Sequence, residues 1–326
     1  MAPFKSTQSF SVGHFLKTFR DRDAVGPAAL NSPVRTDRTP KLEATGGAIA
    51  IPGNGYKYHF LTANPHTFII TVQPGAEDVE YIVVGGGGAG GTYPGGNSGG
   101  GGGAGGFVTG TFPNMAVGTY PVTIGQGGAA LSNPGTSTTF NSIIGYGGGG
   151  GSPAYGNPGN PGASGGGGGG NGPTTGGIAN RIQPDGSTNI PSPLSPQGNI
   201  GGTGGPSSNT GKSGGGGGAG GPGGNAGTNS GAGGVGKVAF SGDTGIPTDY
   251  GTPGPSAGRW FAGGGAGGGY PTTDEDTGPG GAGGGGSSLD GLSLNGVDGT
   301  GGGGGGNQGP SAGDGGNGIV ILRYAV

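Results

Sequence analysis

The sequence predicts a mainly β protein with little or no α-helix, a small β-sandwich built from both chain ends and packed on a lattice of polyglycine type II helices. Three observations predict it. Ninety-nine of the 326 residues are glycine. They fall in near-pure blocks of similar length at Gly85–Gly91, Gly99–Gly106, Gly214–Gly221, Gly263–Gly269, Gly280–Gly286 and Gly301–Gly306. Runs rich in aromatic and β-branched residues precede the blocks and close the chain.

Glycine loses more backbone freedom on ordering than any other residue. Such blocks either stay disordered or pack backbone on backbone and recover the loss in hydrogen bonds. Disordered chains usually combine few apolar groups with many charges. Here hydrophobic residues make up 28% and charged ones only 9%, which favours order. A polyproline-type helix has three residues per turn, rises about 3.1 Å per residue and points its N–H and C=O groups sideways. With only hydrogen as side chain, such helices can approach closely enough to bond one another. Blocks of five to eight residues would span roughly 15–25 Å, one domain thickness. Disordered linkers would have no reason to share a length. The lone alanines Ala89, Ala104, Ala219, Ala266 and Ala282 should place their methyls outside the stack or toward the β layer.

Residues 1–45 read as an extended arm. Phe4, Phe10, Phe15 and Phe19 stand near Arg20 and Arg22, and Pro27, Pro33 and Pro40 forbid a long helix. One short helix fits His14 to Arg22. A solvated leader is the plain alternative, but it has no use for four phenylalanines, so the arm is expected to dock on another protein. Residues 46–326 form the glycine-rich domain. Within 46–144, strands are expected at Tyr56–Leu61, Thr67–Val72, Val79–Val84, Phe107–Phe112, Val117–Ile124 and Ser137–Ile144, with a turn at Pro74-Gly75. Residues 145–317 hold polyglycine helices and display loops, and 318–326 form a closing strand beside an early one. The blocks have no fixed period, which argues against an exact solenoid. Strict Gly-X-Y spacing is missing, which excludes collagen.

Catalytic chemistry finds no foothold. Cysteine is absent, and the histidines are His14, His59 and His66. Val83-Val84-Gly85-Gly86-Gly87-Gly88-Ala89-Gly90 imitates a dinucleotide fingerprint. That motif needs a helix after the last glycine and an acidic residue about 20 positions on. Here Gly91-Thr92-Tyr93-Pro94 follows, and no acid appears before Asp185. Asn209-Thr210-Gly211-Lys212-Ser213 lacks the first glycine of a phosphate loop, which would fall at Pro206. Asp274-Glu275-Asp276 lacks the alternation of a calcium loop and reads as a solvated tip. No enzyme, cofactor or metal is expected. The net charge of −3 gives no case for nucleic acid, and no apolar run is long enough for membrane insertion. The N-terminus lacks an apolar signal core, so secretion by that route is not expected.

Segments between blocks carry the remaining aromatics. Tyr155, Tyr250, Trp260, Phe261 and Tyr270 are the candidate receptor-binding residues. Capping the lattice or covering the β layer is their bland alternative. The display loops expected are 152–164, 171–213, 241–262 and 270–279, carried on a rigid scaffold.

Two stretches carry a resemblance. Tyr81-Ile82-Val83-Val84-Gly85-Gly86-Gly87-Gly88-Ala89-Gly90-Gly91, with Gly101-Gly102-Gly103-Ala104-Gly105-Gly106-Phe107-Val108-Thr109-Gly110, resembles the start of the glycine-rich domain of bacteriophage tail fibres. Gly313-Asp314-Gly315-Gly316-Asn317-Gly318-Ile319-Val320-Ile321-Leu322-Arg323-Tyr324 is similar to its closing strand. Distal adhesins of T-even-like phages in that family form a sandwich of polyglycine helices with receptor-contacting loops between them. Tyr56-Lys57-Tyr58-His59-Phe60 and the arm are similar to virion structural proteins of marine cyanobacterial myophages, although a tip adhesin would not need such an arm. The resemblance implies a virion protein of the tail or fibre, a short tail fibre or adhesin. Its arm (Phe4, Phe10, Phe15, Phe19, Arg20, Arg22) would dock on other virion proteins, and its loops would bind a host surface receptor or glycan. Trimers are common among phage fibres, which would make it a homo-oligomer, but a glycine lattice can equally close within one chain. The alternatives are a purely structural decoration or filament subunit, and ice or mineral binding, for which regular threonine rows are not seen in the sequence.

Overall fold

The computed structural model describes residues 40–75, 77–92, 98–129, 131–153, 156–172, 174–179, 197–206, 211–269, 278–289, 292–309 and 311–326. The expected helix at His14–Arg22 and the docking residues of the arm lie outside them. Leu42–Val326 form one compact unit. It is mainly β, and its only helical turn among the described residues is a short 3-10 piece at Ala239–Gly242. No helix among those residues is long and apolar enough to cross a membrane.

Two five-stranded sheets carry the side-chain core. The first sheet orders β1 (Glu43–Thr45), β4 (His66–Val72), β7 (Gly118–Thr123), β8 (Thr138–Phe140) and β9 (Ile143–Gly145). In the second, β2 (Ala48–Ala50), β3 (Tyr56–Leu61), β14 (Ile319–Ala325), β5 (Val79–Val84) and β6 (Phe107–Phe112) follow in that order. Two pairs of two-residue strands elsewhere are minor: β10 (Lys237–Val238) with β11 (Trp260–Phe261), and β12 (Ser288–Leu289) with β13 (Leu292–Ser293). The closing strand sits in the middle of its sheet, with Val320 opposite Leu61 and Val83, and Ile321 opposite Phe60 and Ile82.

Period-two alternation assigns the faces. Leu61, Tyr81, Val83, Val320, Leu322 and Tyr324 turn toward the first sheet and meet Phe68, Ile70, Val122 and Phe140. On the opposite face, Tyr58, Phe60, Ile82, Val84, Ile319 and Ile321 meet Ala104, Ala219, Ile246 and Phe261. The second sheet is therefore buried on both sides, which accounts for its nearly continuous apolar strands. Expected strand Ser137–Ile144 is in fact two, because Asn141 takes a left-handed φ of 52° and reverses the chain. The arm expected to reach residue 45 already gives way to β1 at Glu43.

Beyond the second sheet the interior is backbone. In segment 99–106, Gly99, Gly102 and Gly105 donate to the carbonyls of Asn307, Gly304 and Gly301. Gly100, Gly103 and Gly106 donate to Ser152, Gly149 and Tyr146, and Gly101 and Ala104 to Gly214 and Gly217. Its carbonyls accept from Gly85, Gly88 and Gly91, from Gly265 and Gly268, and from Ser164 and Gly167. The bond direction thus returns every third residue, and six neighbouring segments surround this one. All these bonds measure 2.7–3.2 Å. Segment 85–91 repeats the scheme, with Gly87 and Gly90 donating to Gly316 and Gly313, and Gly86 and Ala89 to Thr136 and Asn133.

A Cβ would destroy this spacing. One built on Gly102 would lie 2.1 Å from Gly88 O, and one on Gly216 1.9 Å from Gly102 O. Alanine is accepted where the neighbour is not backbone: Ala104 and Ala219 turn into the apolar cluster under the second sheet. Ala266 is fully buried within the layer instead, where its methyl faces Gly278. Where a segment has no outer neighbour, side chains supply the missing acceptors. Asn295 and Asp298, three residues apart, accept from the N–H groups of Asp314 and Asn317, also three apart. Asn225 does the same for Thr203.

One histidine is locked into the sandwich. His59 Nδ1 lies 2.8 Å from Gly46 O, so that nitrogen carries the proton and donates. Its Nε2 then accepts from the Tyr324 hydroxyl, which itself accepts from Ala44 N–H. Burial holds His59 below its ordinary 6.5, and it stays neutral.

Two predictions follow from this packing. Gly102→Ala should lower unfolding free energy by about 3 kcal/mol or more, the range of severe core clashes. Gly227→Ala, where nothing lies within 4 Å of the new methyl, should be neutral or stabilise by about 0.5 kcal/mol. Chemical denaturation of the two variants distinguishes these outcomes. Because His59 is neutral when folded and takes a proton more readily when unfolded, its contribution is complete above 6.5 and declines as pH falls below that value. The thermal midpoint should drop between about pH 7 and about pH 5, and His59→Gln should flatten that drop.

Candidate functional site

Connectivity fixes two ends for the glycine layer. β5 runs into it at Gly85 and β6 leaves it at Gly106, so these residues mark the sheet end. Gly91 and Gly99 mark the far end, and the bonds of Gly99 and Gly100 bring Asn307, Gly268 and Ser152 there too. Ser213 bonds Gly268, and Gly231 bonds Ser213, which adds two more segments to the same end. Several of the segments that join the blocks therefore meet at one face, opposite the sheets, whereas Gln197, which accepts from Phe107 N–H and Tyr146 N–H, stands at the sheet end.

Hydroxyls close that face. Gly99 O already accepts from Gly268 N–H and Gly268 O from Ser213 N–H, and the second lone pair of each carbonyl is open to a further donor. Ser213 Oγ lies 2.6 Å from Gly99 O and 2.8 Å from Gly268 O, with one proton to share between them, and Ser230 Oγ donates to Gly268 O at 2.7 Å. Thr92 Oγ1 donates to Gly309 O, and Asn307 Nδ2 to Ser311 O. Leu131 (65% exposed) follows onto Ser132, whose N–H bonds Gly90 O, and so belongs to this end. The β12–β13 hairpin bridges to Gly278 and exposes Leu289 and, at 66%, Leu292. Exposed aliphatic side chains on a hydroxyl-capped rim can bury apolar surface against a partner.

The expected receptor aromatics are placed differently. Tyr155 and Tyr270 lie outside the described residues. Tyr250, Trp260 and Phe261 come together at the sheet end, in a lobe over residues 237–262. Phe261 is fully buried among Tyr58, Phe60 and Ile319, and presents no surface. Tyr250 stacks on Phe60 with ring centroids 3.9 Å apart and planes within 4°. Trp260 is half-buried, and its Nε1 donates to Ser256 O at 3.1 Å. The Arg259 guanidinium braces the same loop by donating to the carbonyls of Thr248, Tyr250 and Gly251. The span 241–262 thus packs Ile246, Tyr250 and Phe261 over the second sheet, while its stretch 253–257 is exposed. Its apolar side chains are what the outer face of that sheet needs.

A polar cluster that the sequence reading missed pins this cover down. Arg323 follows Ile319 and Ile321 in period two, so it points into the same buried face. Its Nη2 donates to Glu80 at 2.8 Å and its Nη1 to Asp243. The rings of Tyr56 and Phe240 flank the guanidinium at 4.2 and 4.0 Å. Asp243 also accepts from the Tyr58 hydroxyl, from Asn54 and from Gly245 N–H. Burial alone would raise Asp243, but those hydrogen bonds and Arg323 outweigh it and hold the carboxyl below its ordinary range. Burial, and then the bond to Asp243, push the Tyr58 phenol upward, so it remains a donor. The signal for this cluster was an arginine on the buried parity of an otherwise apolar strand. Chemically it is a buried ion lock, in which the Arg323 Nη atoms are paired and Nε has no hydrogen-bond partner among the described residues. Among the described residues no group of three or more His, Asp or Glu is arranged to hold a metal ion.

The sequence model of a family described as a glycine-rich domain matches residues 62–325, from the residue after β3 to the last residue of β14. No curated protein matches the chain.

Removing the carboxylate should detach the cover. Asp243→Ala leaves Arg323 partly unpaired in a buried site and should cost about 3 kcal/mol. Hydrogen exchange should then accelerate at the amides of Ala239 and Trp260, while the β14 amides stay protected.

Proposed function

Taking as premise that this chain belongs to the glycine-rich domain family, we propose that it is a structural protein of a phage virion. In this reading it is a short tail fibre or adhesin that displays loops for host-surface recognition. The observation that carries it is the gathering of chain excursions at the far end of the glycine layer, with Leu131, Leu289 and Leu292 exposed there. A scaffold whose interior is backbone is insensitive to what its loops contain, which suits a recognition surface. The opening and closing stretches described above resemble the corresponding parts of phage tail-fibre domains.

The glycine segments are proposed to be polyglycine type II helices. The three-residue return of bond direction supports this, since three residues per turn is the defining period of that conformation. Crystallographic coordinates giving about 3.1 Å rise per block residue would agree, whereas a two-residue pleat near 3.3 Å would not. The proposed partners are other virion proteins, held by Phe4, Phe10, Phe15, Phe19, Arg20 and Arg22, and a host receptor or glycan at the far face. No catalytic step is assigned to any residue.

Adsorption of particles to host cells separates this from a purely structural decoration. Leu292→Asp and Tyr270→Ala should each lower adsorption about tenfold or more while particle yield is unchanged. Normal adsorption by both variants in intact particles would favour the decoration reading.

A further inference from the structure

One side wall of the glycine layer has a regular surface. Four consecutive segments, 174–178, 199–206, 220–227 and 231–236, bond edge to edge along it. Gly201 N–H donates to Gly177 O and Gly204 N–H to Thr174 O; Gly223 donates to Ile200 O and Ala226 to Thr203 O. Gly221 then donates to Val235 O and Gly224 to Ala232 O. These bonds set Ile178, Ile200, Pro222 and Val235 at one level. Thr175, Thr203, Asn225 and Ala232 lie at a second level.

Each segment has the same local sequence on this wall: Thr175-Gly176-Gly177-Ile178, Ile200-Gly201-Gly202-Thr203, Pro222-Gly223-Gly224-Asn225 and Ala232-Gly233-Gly234-Val235. With a three-residue repeat, the terminal residues of the first three tetrads face outward and the two glycines between them do not, while Ala232 and Val235 of the fourth are half-buried. Ile178 is 49% and Ile200 55% exposed, and Pro222, Thr175, Thr203 and Asn225 are exposed as well. The wall is an apolar row and a mainly polar row, separated by a trench floored only by glycine. At about 3.1 Å per residue the rows stand roughly 9 Å apart.

We propose that this wall is the contact surface for a second copy of this chain, docked face to face about a two-fold axis. A row of side chains on one copy fits the glycine-floored trench of the other, and a two-fold axis makes both copies donate and receive equally. None of the six outward residues, nor Ala232 or Val235 beside them, is charged. Identical faces can therefore meet without like-charge repulsion, which a charged face of this regularity could not do. Lys212, at the rim, is turned back to donate to Thr228 O. Burying Ile178 and Ile200 removes exposed apolar surface, and the bare trench lets them approach backbone closely.

Sedimentation equilibrium of the full chain tests the proposal. The unaltered protein should form a reversible dimer. Ile200→Asp should raise its dissociation constant at least about 30-fold. Thr203→Arg, a change at an already polar exposed site, should weaken the dimer as well and guards against a folding defect in the first variant. Leu292→Asp, on the far-end hairpin, should leave the dimer unchanged. A protein that remains monomeric up to about 100 μM, or an association untouched by both wall variants, would overturn the assignment.

Discussion

The structure depends on a distance that only hydrogen permits. At segment after segment, the place where a Cβ would sit is already occupied by a neighbouring carbonyl, commonly about 2 Å away. That proximity lets each N–H reach a carbonyl in another segment, and the three-residue return of bond direction spreads those bonds over several neighbours. Packing and hydrogen bonding, which are separate contributions in a side-chain core, are here the same contact. The usual sign of a substitution is reversed as a result. Alanine in place of glycine ordinarily helps by restricting the unfolded chain, but within these segments the clash dominates by a wide margin.

Such an interior has a problem at its boundary, since every outer segment has groups with no partner segment. Three solutions appear. Side-chain amides and carboxylates at Asn225, Asn295 and Asp298 accept from the edge. Hydroxyls at Ser213 and Ser230 add second donors to the carbonyls of Gly99 and Gly268 at the far end. Toward the β end, the layer passes into side-chain packing through Ala104 and Ala219, where a methyl replaces the backbone contact. The second sheet then serves as the interface between two kinds of core. One of its faces packs as an ordinary sandwich. The other needs a cover, which the lobe 237–262 provides under the hold of Arg323 and Asp243.

Much of this was legible. Tyr56–Leu61, Val79–Val84 and Phe107–Phe112 were read to the residue, because unbroken aromatic and β-branched runs leave little choice of ends. β1 and β2 were missed, since Glu43-Ala44-Thr45 and Ala48-Ile49-Ala50 are short and alanine-bearing, and owe their pairing to neighbours distant in sequence. The packed part of the lobe was not legible for a related reason. Its glycines and prolines read as a display loop, while the demand for Tyr250 and Phe261 comes from a sheet face that only the closing strand completes. Tyr250 and Phe261 are therefore bound to the sheet by the need to fill space beside it.

A three-residue period also explains why regular surfaces on this layer escape a linear search. Residues at one level come from segments running in opposite directions, so a row contains Ile178 from one, Ile200 from the next and Val235 from another. No repeat of a single residue type is visible along the chain. What does recur is the frame, an outward residue, two glycines and another outward residue. That frame specifies where side chains stand without specifying what they are. The glycines fix the lattice, and the positions between them are free to vary in chemistry without disturbing it. This is the physical basis for separating scaffold from surface in a molecule whose interior has almost no side chains.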